Sequence, residues 1–352
     1  MLADYRGLKR LVASVFANAG CGGDEAERIA HYLVESNLVG HDSHGVIRVL
    51  SYVRWLREGK VFANTEPATV LENEAILVLD GQFGFGQTAG QHAIERGIEK
   101  AARHGVAVVA LRNSGHLGRI GDWPALAARS GLISMHFVNT SGGGILVAPF
   151  GGIDRRISAN PIAFGVPIEG RPPILLDIST CSIAEGKIRV ALNRGTTVPP
   201  GCIIDNDGLP TIEPARFYGS PPGAILPIAG HKGYGLGIIA EVLAGALTGG
   251  GCSDPNVKRV ANGMLSVLID PGRMRDMGEF AADIERFIEF VRSSRTVSPD
   301  GEILMPGELE ERTRQSRMSQ GINLDDKTWS EIREACGMVG LASGHVEDLL
   351  GS

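Results

Sequence analysis

AILVLDGQFGFGQTAG, residues 75–90, is the stretch on which the reading of the fold turns. Residues 75–80 are a short apolar run closed by a charge and a glycine, as buried strands are. The glycines at 84, 86 and 90 then lead into a helical stretch, Gln87–Arg103, so strand, tight turn and helix follow one another. A dinucleotide-binding βαβ unit begins in this way, but its fingerprint is GxGxxG, and an acidic residue near the end of the next strand holds a ribose. Here the spacing is GxGxxxG, and the next apolar run, VAVVAL at 106–111, ends at Leu111-Arg112 without a carboxylate. The glycines therefore read as a strand-to-helix turn. GYGLG, 233–237, fits the fingerprint less well, because no strand closely precedes it.

Working outward, LISMHFV (132–138), PILLD (173–177) and MLSVLID (264–270) are further candidate strands. Helical stretches at Trp123–Ser130 and Tyr234–Leu247 lie among them, so the middle of the chain is α/β. The first sixty residues are helical in pattern: Leu8, Leu11, Val12, Val15 and Phe16 recur at helical spacing. Asp24 and Glu27 predict a capping box for a helix reaching about Leu38, and a third helix is expected from Val46 to Glu58. The chain becomes helical again at Glu279–Arg292, Glu308–Gln320 and Asp326–Met338. The Pro- and Gly-rich segment Thr196–Pro227 predicts a long excursion over the surface. The expected organisation is a helical domain of residues 1–72 with 272–352 around an α/β domain of residues 73–271.

Composition narrows the function. The formal net charge of −6, with no basic block, argues against nucleic acid as the main partner. Hydrophobic content is 43%, and no window approaches the ~18 apolar residues of a membrane helix. MLADYRGLKR lacks the basic start and apolar run of a signal peptide, and the five cysteines are scattered without a CxxC. Both features lead to the expectation of a cytoplasmic protein with reduced thiols.

Three segments look chemical. In GHDSHGVIR (40–48), a helix beginning near Gly45 would put His44 at its entrance and Arg48 about one turn in. The guanidinium fork suits a carboxylate, the helix entrance favours an anion, and Ser43 adds a hydroxyl. A capped helix with a surface arginine fits the same spacing. His41-x-x-His44 has no third ligand at metal spacing, so no metal is predicted. In NSGHLGRIGDW (113–123), His116 sits among glycines just past a buried strand, where α/β proteins place ligands. Its imidazole suits proton exchange with a substrate oxygen, though a turn histidine bonded to nearby carbonyls fits as well. GHKGYG (230–235) sets Lys232 beside a helix start, a combination that suits a phosphate or simply a solvated lysine.

Together HDSHGVIR, DGQFGFGQ, NSGHLGRIGDW, VAPFGG, ISANPIAFGVP, LLDISTCSIAEGKIRVA, GHKGYGLGIIAEVLAGALTGG and MPGELE closely resemble the malate/L-lactate dehydrogenase-like oxidoreductases. That family also contains sulfolactate and ureidoglycolate dehydrogenases and cyclic ketimine reductases. The likeness spans nearly the whole chain, and VPPGCIID (198–205) is most similar to the hydroxycarboxylate dehydrogenase branch. It implies an enzyme that uses NAD or NADP and works as a homodimer. It also implies a non-Rossmann NAD(P)-binding α/β domain with a mixed sheet, and a helical substrate and dimer domain formed from both termini. By resemblance, His116 is the proton donor and acceptor, expected to stand exposed to a substrate oxygen. Ser43, His44 and Arg48 meet the substrate, with His44 also near the nicotinamide, and Asn160 is a further substrate-side candidate. Cofactor contacts fall on Gly118, Arg119 and Ile120, and on Leu175, Leu176, Asp177, Ile178 and Ser179. Others fall on His231, Lys232 and Asn262, and on Gly307, Glu308, Leu309 and Glu310. The implied reaction moves a hydride between the nicotinamide and C2 of a 2-hydroxy/2-oxo acid; reduction of a cyclic ketimine carboxylate is the alternative. Glu185 departs from many relatives, which carry a small or apolar residue or His there, so no coenzyme preference is carried over.

Overall fold

A computed structural model describes residues 1–351. At its centre is a seven-stranded mixed sheet. We number its strands β1 (Ala68–Glu72), β2 (Ile76–Asp80), β3 (Val106–Ser114), β4 (Ile133–Thr140), β5 (Ile162–Val166), β6 (Ile174–Ile178) and β7 (Asn262–Ile269). The spatial order is β1-β2-β3-β7-β4-β5-β6. Only β2 and β3 run parallel; every other neighbouring pair in the sheet is antiparallel. The late strand β7 is inserted between β3 and β4, which brings Asn262 opposite both Ser114 and Thr140.

The helices are α1 (Tyr5–Asn18), α2 (Gly23–Leu38), α3 (Val49–Arg57), α4 (Gly86–His104), α5 (Asp122–Arg129), α6 (Glu185–Arg194), α7 (His231–Glu241), α8 (Met277–Arg292), α9 (Glu308–Gln320), α10 (Asp326–Met338) and α11 (Ser343–Gly351). In α4, Ala89, Ala93, Ile94 and Ala101 form the apolar stripe laid on Leu77, Leu79, Val109, Leu111, Met264 and Leu268 of the sheet. Small residues let helix and sheet approach closely: an added Cβ at Gly90 would overlap the indole of the fully buried Trp123. A second core joins the two ends of the chain. Leu8, Leu11, Phe16, Ile29 and Leu33 pack with Ile322, Leu324, Ile332 and Val346, and Leu2–Ala3 pairs antiparallel with Ile322–Asn323. Each such large side chain contributes about 1.5–3 kcal/mol on full burial.

Several elements differ from their sequence reading. Thr196–Pro227 is no surface excursion; it carries a small antiparallel sheet, Ile203–Ile204, Pro210–Thr211 and Ala224–Ile225. Val198, Ile203, Phe217 and Ile225 are buried in a core with Val147, Ile157 and Ile188. Pro and Gly there mark turns between very short strands, and turn density does not report where the intervening apolar side chains go. Asp24 does not cap α2. The helix starts two residues earlier than an Asp24 cap would set it, with Gly22 at the N-cap and no side-chain cap, and Asp24 stands in the first turn at the positive end of the helix dipole. β1 is an exposed edge strand with no buried face, and β5 is a short run behind Asn160-Pro161, so neither shows the periodicity that would predict it. The helix expected at Tyr234–Leu247 starts at His231 and passes into a π-turn at Val242–Ala246. Among the described residues, no helix is long and apolar enough to cross a membrane.

Candidate active site

The glycine turn after β2 supports the loop after β3. Gly84 O accepts from Gly115 N at 2.9 Å, and a Cβ on Gly86 would overlap the carbonyl of His116. A side chain at Gly86, or at Gly115, where a Cβ would come 2.6 Å from Gly84 O, would push the histidine loop off the start of α4, which is why glycine stands there. From the other side, Asn262 pins the loop. Its Oδ1 accepts from Leu117 N at 2.9 Å, and its Nδ2 donates to Asn139 O and Thr140 Oγ1 at 2.8 and 2.9 Å.

His116 is therefore held rigidly, and it is half-buried where an exposed ring was expected. Tyr52 of α3 and His44 cover it. Tyr52 Oη lies 2.7 Å from His116 Nδ1, and the His44 ring stacks nearly parallel, 5.8 Å away with 12° between the planes. Two short 3-10 turns, Asp42–His44 and Val46–Arg48, lead into α3 and set Ser43, His44 and Arg48 close together. Ser43 Oγ is 3.0 Å from His44 Nδ1, and Arg48 Nε donates to Ser43 O at 2.7 Å. Burial first, and then the Arg48 guanidinium, push the His116 imidazole down to about 3. Burial, with His116 next in importance, holds His44 well below its ordinary 6.5, and burial lowers Arg48. The result is a neutral imidazole beside a half-buried cation. An anion bound at Arg48 would offset that cation and make His116 more basic.

The other segments adjoin this group. Gly121 N donates to Asp177 Oδ2 at 2.7 Å, joining the turn Gly118–Gly121 to β6. Arg119 is buried and paired with Asp122 at 2.6 Å, and Ile120 is buried as well. Leu175 N donates to Pro306 O at 3.0 Å, so Gly307, in the left-handed region, lies against β6. Leu176 and Ile178 are half-buried on that strand, and Ser179 Oγ donates to Cys181 O just beyond it. Glu308 accepts from Met305 N and pairs with Arg292, Leu309 is exposed, and Glu310 lies 3.6 Å from His41. The start of α6 closes the group, because a Cβ on Gly186 would come 2.7 Å from Ser43 Cβ. The neighbouring Glu185 carboxylate accepts from Tyr218 Oη at 2.6 Å and pairs with Arg189 at 2.7 Å, so its charge is largely countered.

Four predicted residues stand differently. Asn160 is fully buried, donating to Gly237 O and to Glu241 Oε2 at 3.0 and 2.6 Å, while its Oδ1 meets no partner. Both hydrogens and the oxygen of the Asn262 carboxamide are engaged as described, which suits holding the loop. His231 packs edge-on against Phe150, and Lys232 beside it is exposed at the start of α7. A cavity of about 680 Å³ is lined by Phe83, Asn113, Ser141, Cys252 and Arg259, and His116 is not among its walls. Tyr52 and Gln87 are two residues that the sequence reading does not single out. Tyr52 lies four residues after Arg48, on the same helix face, and that spacing was the available signal.

Comparison with known proteins identifies the family. Residues 3–333 match the model of the malate/L-lactate dehydrogenase family. Hydroxycarboxylate dehydrogenase B of Escherichia coli is 41% identical over 343 residues, 96% of this chain and 94% of that protein. The sulfolactate dehydrogenase structure from Methanocaldococcus jannaschii superposes with a TM-score of 0.87 at 34% identity, covering 99% of both chains. A delta1-piperideine-2-carboxylate reductase from Pseudomonas syringae gives 0.83 at 30% identity, over 95% of this chain and 99% of that one. The chain belongs to the malate/L-lactate dehydrogenase family.

Proposed function

We propose that this protein is an NAD- or NADP-dependent oxidoreductase acting at C2 of a 2-hydroxy or 2-oxo carboxylic acid. The observation that carries the reading is the neutral imidazole of His116 held beside Arg48. Arg48 clamps the substrate carboxylate, which orients C2 and its oxygen. His116 takes the hydroxyl proton on Nε2 during oxidation and returns it to the oxygen during reduction. Ser43 and His44 line the approach. When bound, the nicotinamide supplies the hydride chemistry.

The residues present fit such a nucleotide. β6 is an edge strand, half-buried along its whole length, and the Gly118–Gly121 turn and Gly307 lie against it. Edge main-chain groups and glycines give a flat polar surface to a ribose or ring. We assign the nucleotide to Gly118–Ile120, Leu175–Ser179 and Gly307–Glu310, with His231 and Lys232 as candidates for phosphate. The corresponding architecture is an NAD(P)-binding domain other than the Rossmann one, residues 73–271, and a helical domain of residues 1–72 with 272–352. Exposed apolar faces support a homodimer: Phe287 and Phe290 on α8 are 63% and 76% exposed, and Leu236 and Ile239 on α7 are also uncovered. The five free cysteines support work in a reducing compartment such as the cytoplasm.

Reduction of a cyclic ketimine carboxylate is a second reading, favoured by the likeness to the piperideine-2-carboxylate reductase; the same carboxylate clamp would serve it. The test is oxidation of NADH and of NADPH against pyruvate, oxaloacetate, 2-oxoglutarate, an aryl pyruvate and a cyclic ketimine carboxylate. An oxo-acid winner in kcat/KM supports the main reading and a ketimine winner the second. No turnover with any of them would count against both.

A further inference from the structure

Tyr52 is buried at 2% exposure and touches His116 on one side and Gln87 on the other. Gln87 Nε2 donates to Tyr52 Oη at 3.2 Å, while Gln87 Oε1, buried, has no hydrogen-bond partner. The directions of these bonds decide what His116 can do. With Gln87 donating to Tyr52, the phenol hydrogen is directed to His116 Nδ1, and the neutral ring must then carry its own hydrogen on Nε2. Such a ring can donate to a carbonyl but cannot take a proton from a hydroxyl. A ring that accepts on Nε2 needs its hydrogen on Nδ1, where it donates to Tyr52 Oη. Tyr52 O–H then needs a different acceptor, and burial leaves it no water. A half-turn of the Gln87 carboxamide supplies one, because it presents Oε1 in place of Nε2.

We propose that Tyr52 and Gln87 are positioning residues that set the tautomer of His116, with the Gln87 carboxamide turning over between a donor state and an acceptor state. The inference rests on the hydride-transfer reading above. In the acceptor state the substrate O–H bond breaks and an Nε2–H bond forms. The positive charge stays on the ring, and Tyr52 keeps its proton, since burial raises that phenol to about 12. In the donor state the neutral ring holds a carbonyl oxygen through Nε2–H. For reduction a solvent proton is taken up on Nδ1, the carboxamide turns to the acceptor state, and the Nε2 proton passes to the substrate oxygen, leaving the neutral Nδ1–H ring. Arg48, His44 and Tyr52 are the titratable groups that face His116.

The experiment combines kinetics with nitrogen NMR of histidine-labelled protein, and the NMR needs no substrate. Gln87→Met keeps the volume and removes the acceptor. It should hold His116 in the Nε2–H tautomer of the donor state and lower kcat for oxidation about tenfold or more with little change in KM. Gln87→Glu, an obligate acceptor when ionised, should shift His116 to Nδ1–H and keep most of kcat for oxidation. On a Tyr52→Phe background Gln87→Met should have no further effect, as expected for residues acting in one chain. If Gln87→Glu leaves His116 as Nε2–H, if Gln87→Met leaves kcat unchanged, or if its loss adds fully to that of Tyr52→Phe, the proposal is overturned. If wild-type protein turns over no substrate while the tautomer shifts as expected, the hydride-transfer reading fails and the tautomer assignment stands.

Discussion

Arg48 and His116 act on each other electrostatically yet should fail differently when removed. Arg48→Ala takes away a contact made to the carboxylate in both the ground state and the transition state, so steady-state kinetics should show KM rising about ten- to a hundredfold and kcat changing less. His116→Ala takes away proton transfer, and kcat should fall about 10²- to 10⁴-fold with KM nearly unchanged. The pH dependence follows from the sign of the histidine shift. Oxidation needs the unprotonated ring, and His116 is held down to about 3, so oxidation kcat/KM should stay flat as pH falls from 8 to about 5. Reduction needs the protonated ring, so its kcat/KM should fall about tenfold for each pH unit gained over the same range. A break in the oxidation limb near 6.5 would show that burial does not depress His116 in this way.

Between elements, the glycines that look like a nucleotide cradle act as a support. The β2–α4 turn and the β3 loop touch through Gly84, Gly86 and Gly115, and the contact is backbone on backbone. Gly86→Ala would force a methyl group into the His116 carbonyl. We expect a loss of at least about 1–3 kcal/mol in denaturant unfolding, the usual cost of overpacking. The same variant should lose a larger share of kcat than of nucleotide affinity, because the displaced element carries the histidine. Unchanged kcat in a Gly86→Ala protein would show that the turn does not set the position of the loop.

For the whole molecule, the decisive fact is that the two ends of the chain share one core. Val346 is buried against the N-terminal helices, and Arg10 Nη2 donates to Leu349 O at 3.1 Å. Removing residues 342–352 should therefore lower the melting temperature by about 3 °C or more, at roughly 1.4 °C per kcal/mol lost when the unfolding entropy is about 2.1 cal/mol/K per residue. It should do so although the deleted piece lies far in sequence from the helices it covers. The same core supports α3, which carries Tyr52 and leads on from Arg48, so the truncation should also raise KM. A melting curve and KM identical to those of the intact chain would show that the ends do not cooperate.

Much of this was legible from the amino-acid sequence by itself. The sequence pattern placed α9 and α10 at their observed ends and located α4, β2, β3 and β7 to within a few residues; all but α9, which buries none of its residues, have one face committed to a core. Glycine spacing and a missing carboxylate identified the turn at Gly84, and several motifs together pointed to the family. The tertiary structure alone decided which segments meet. It inserted β7 between β3 and β4, which gives Asn262 its grip on Leu117, and it set Tyr52 and Gln87 behind His116. It also turned Thr196–Pro227 into a small packed sheet. The physical reason is one of range. Propensity, capping and periodicity act over a few residues, whereas hydrogen-bond partners, burial and the resulting shifts in proton affinity depend on groups brought together from distant parts of the chain.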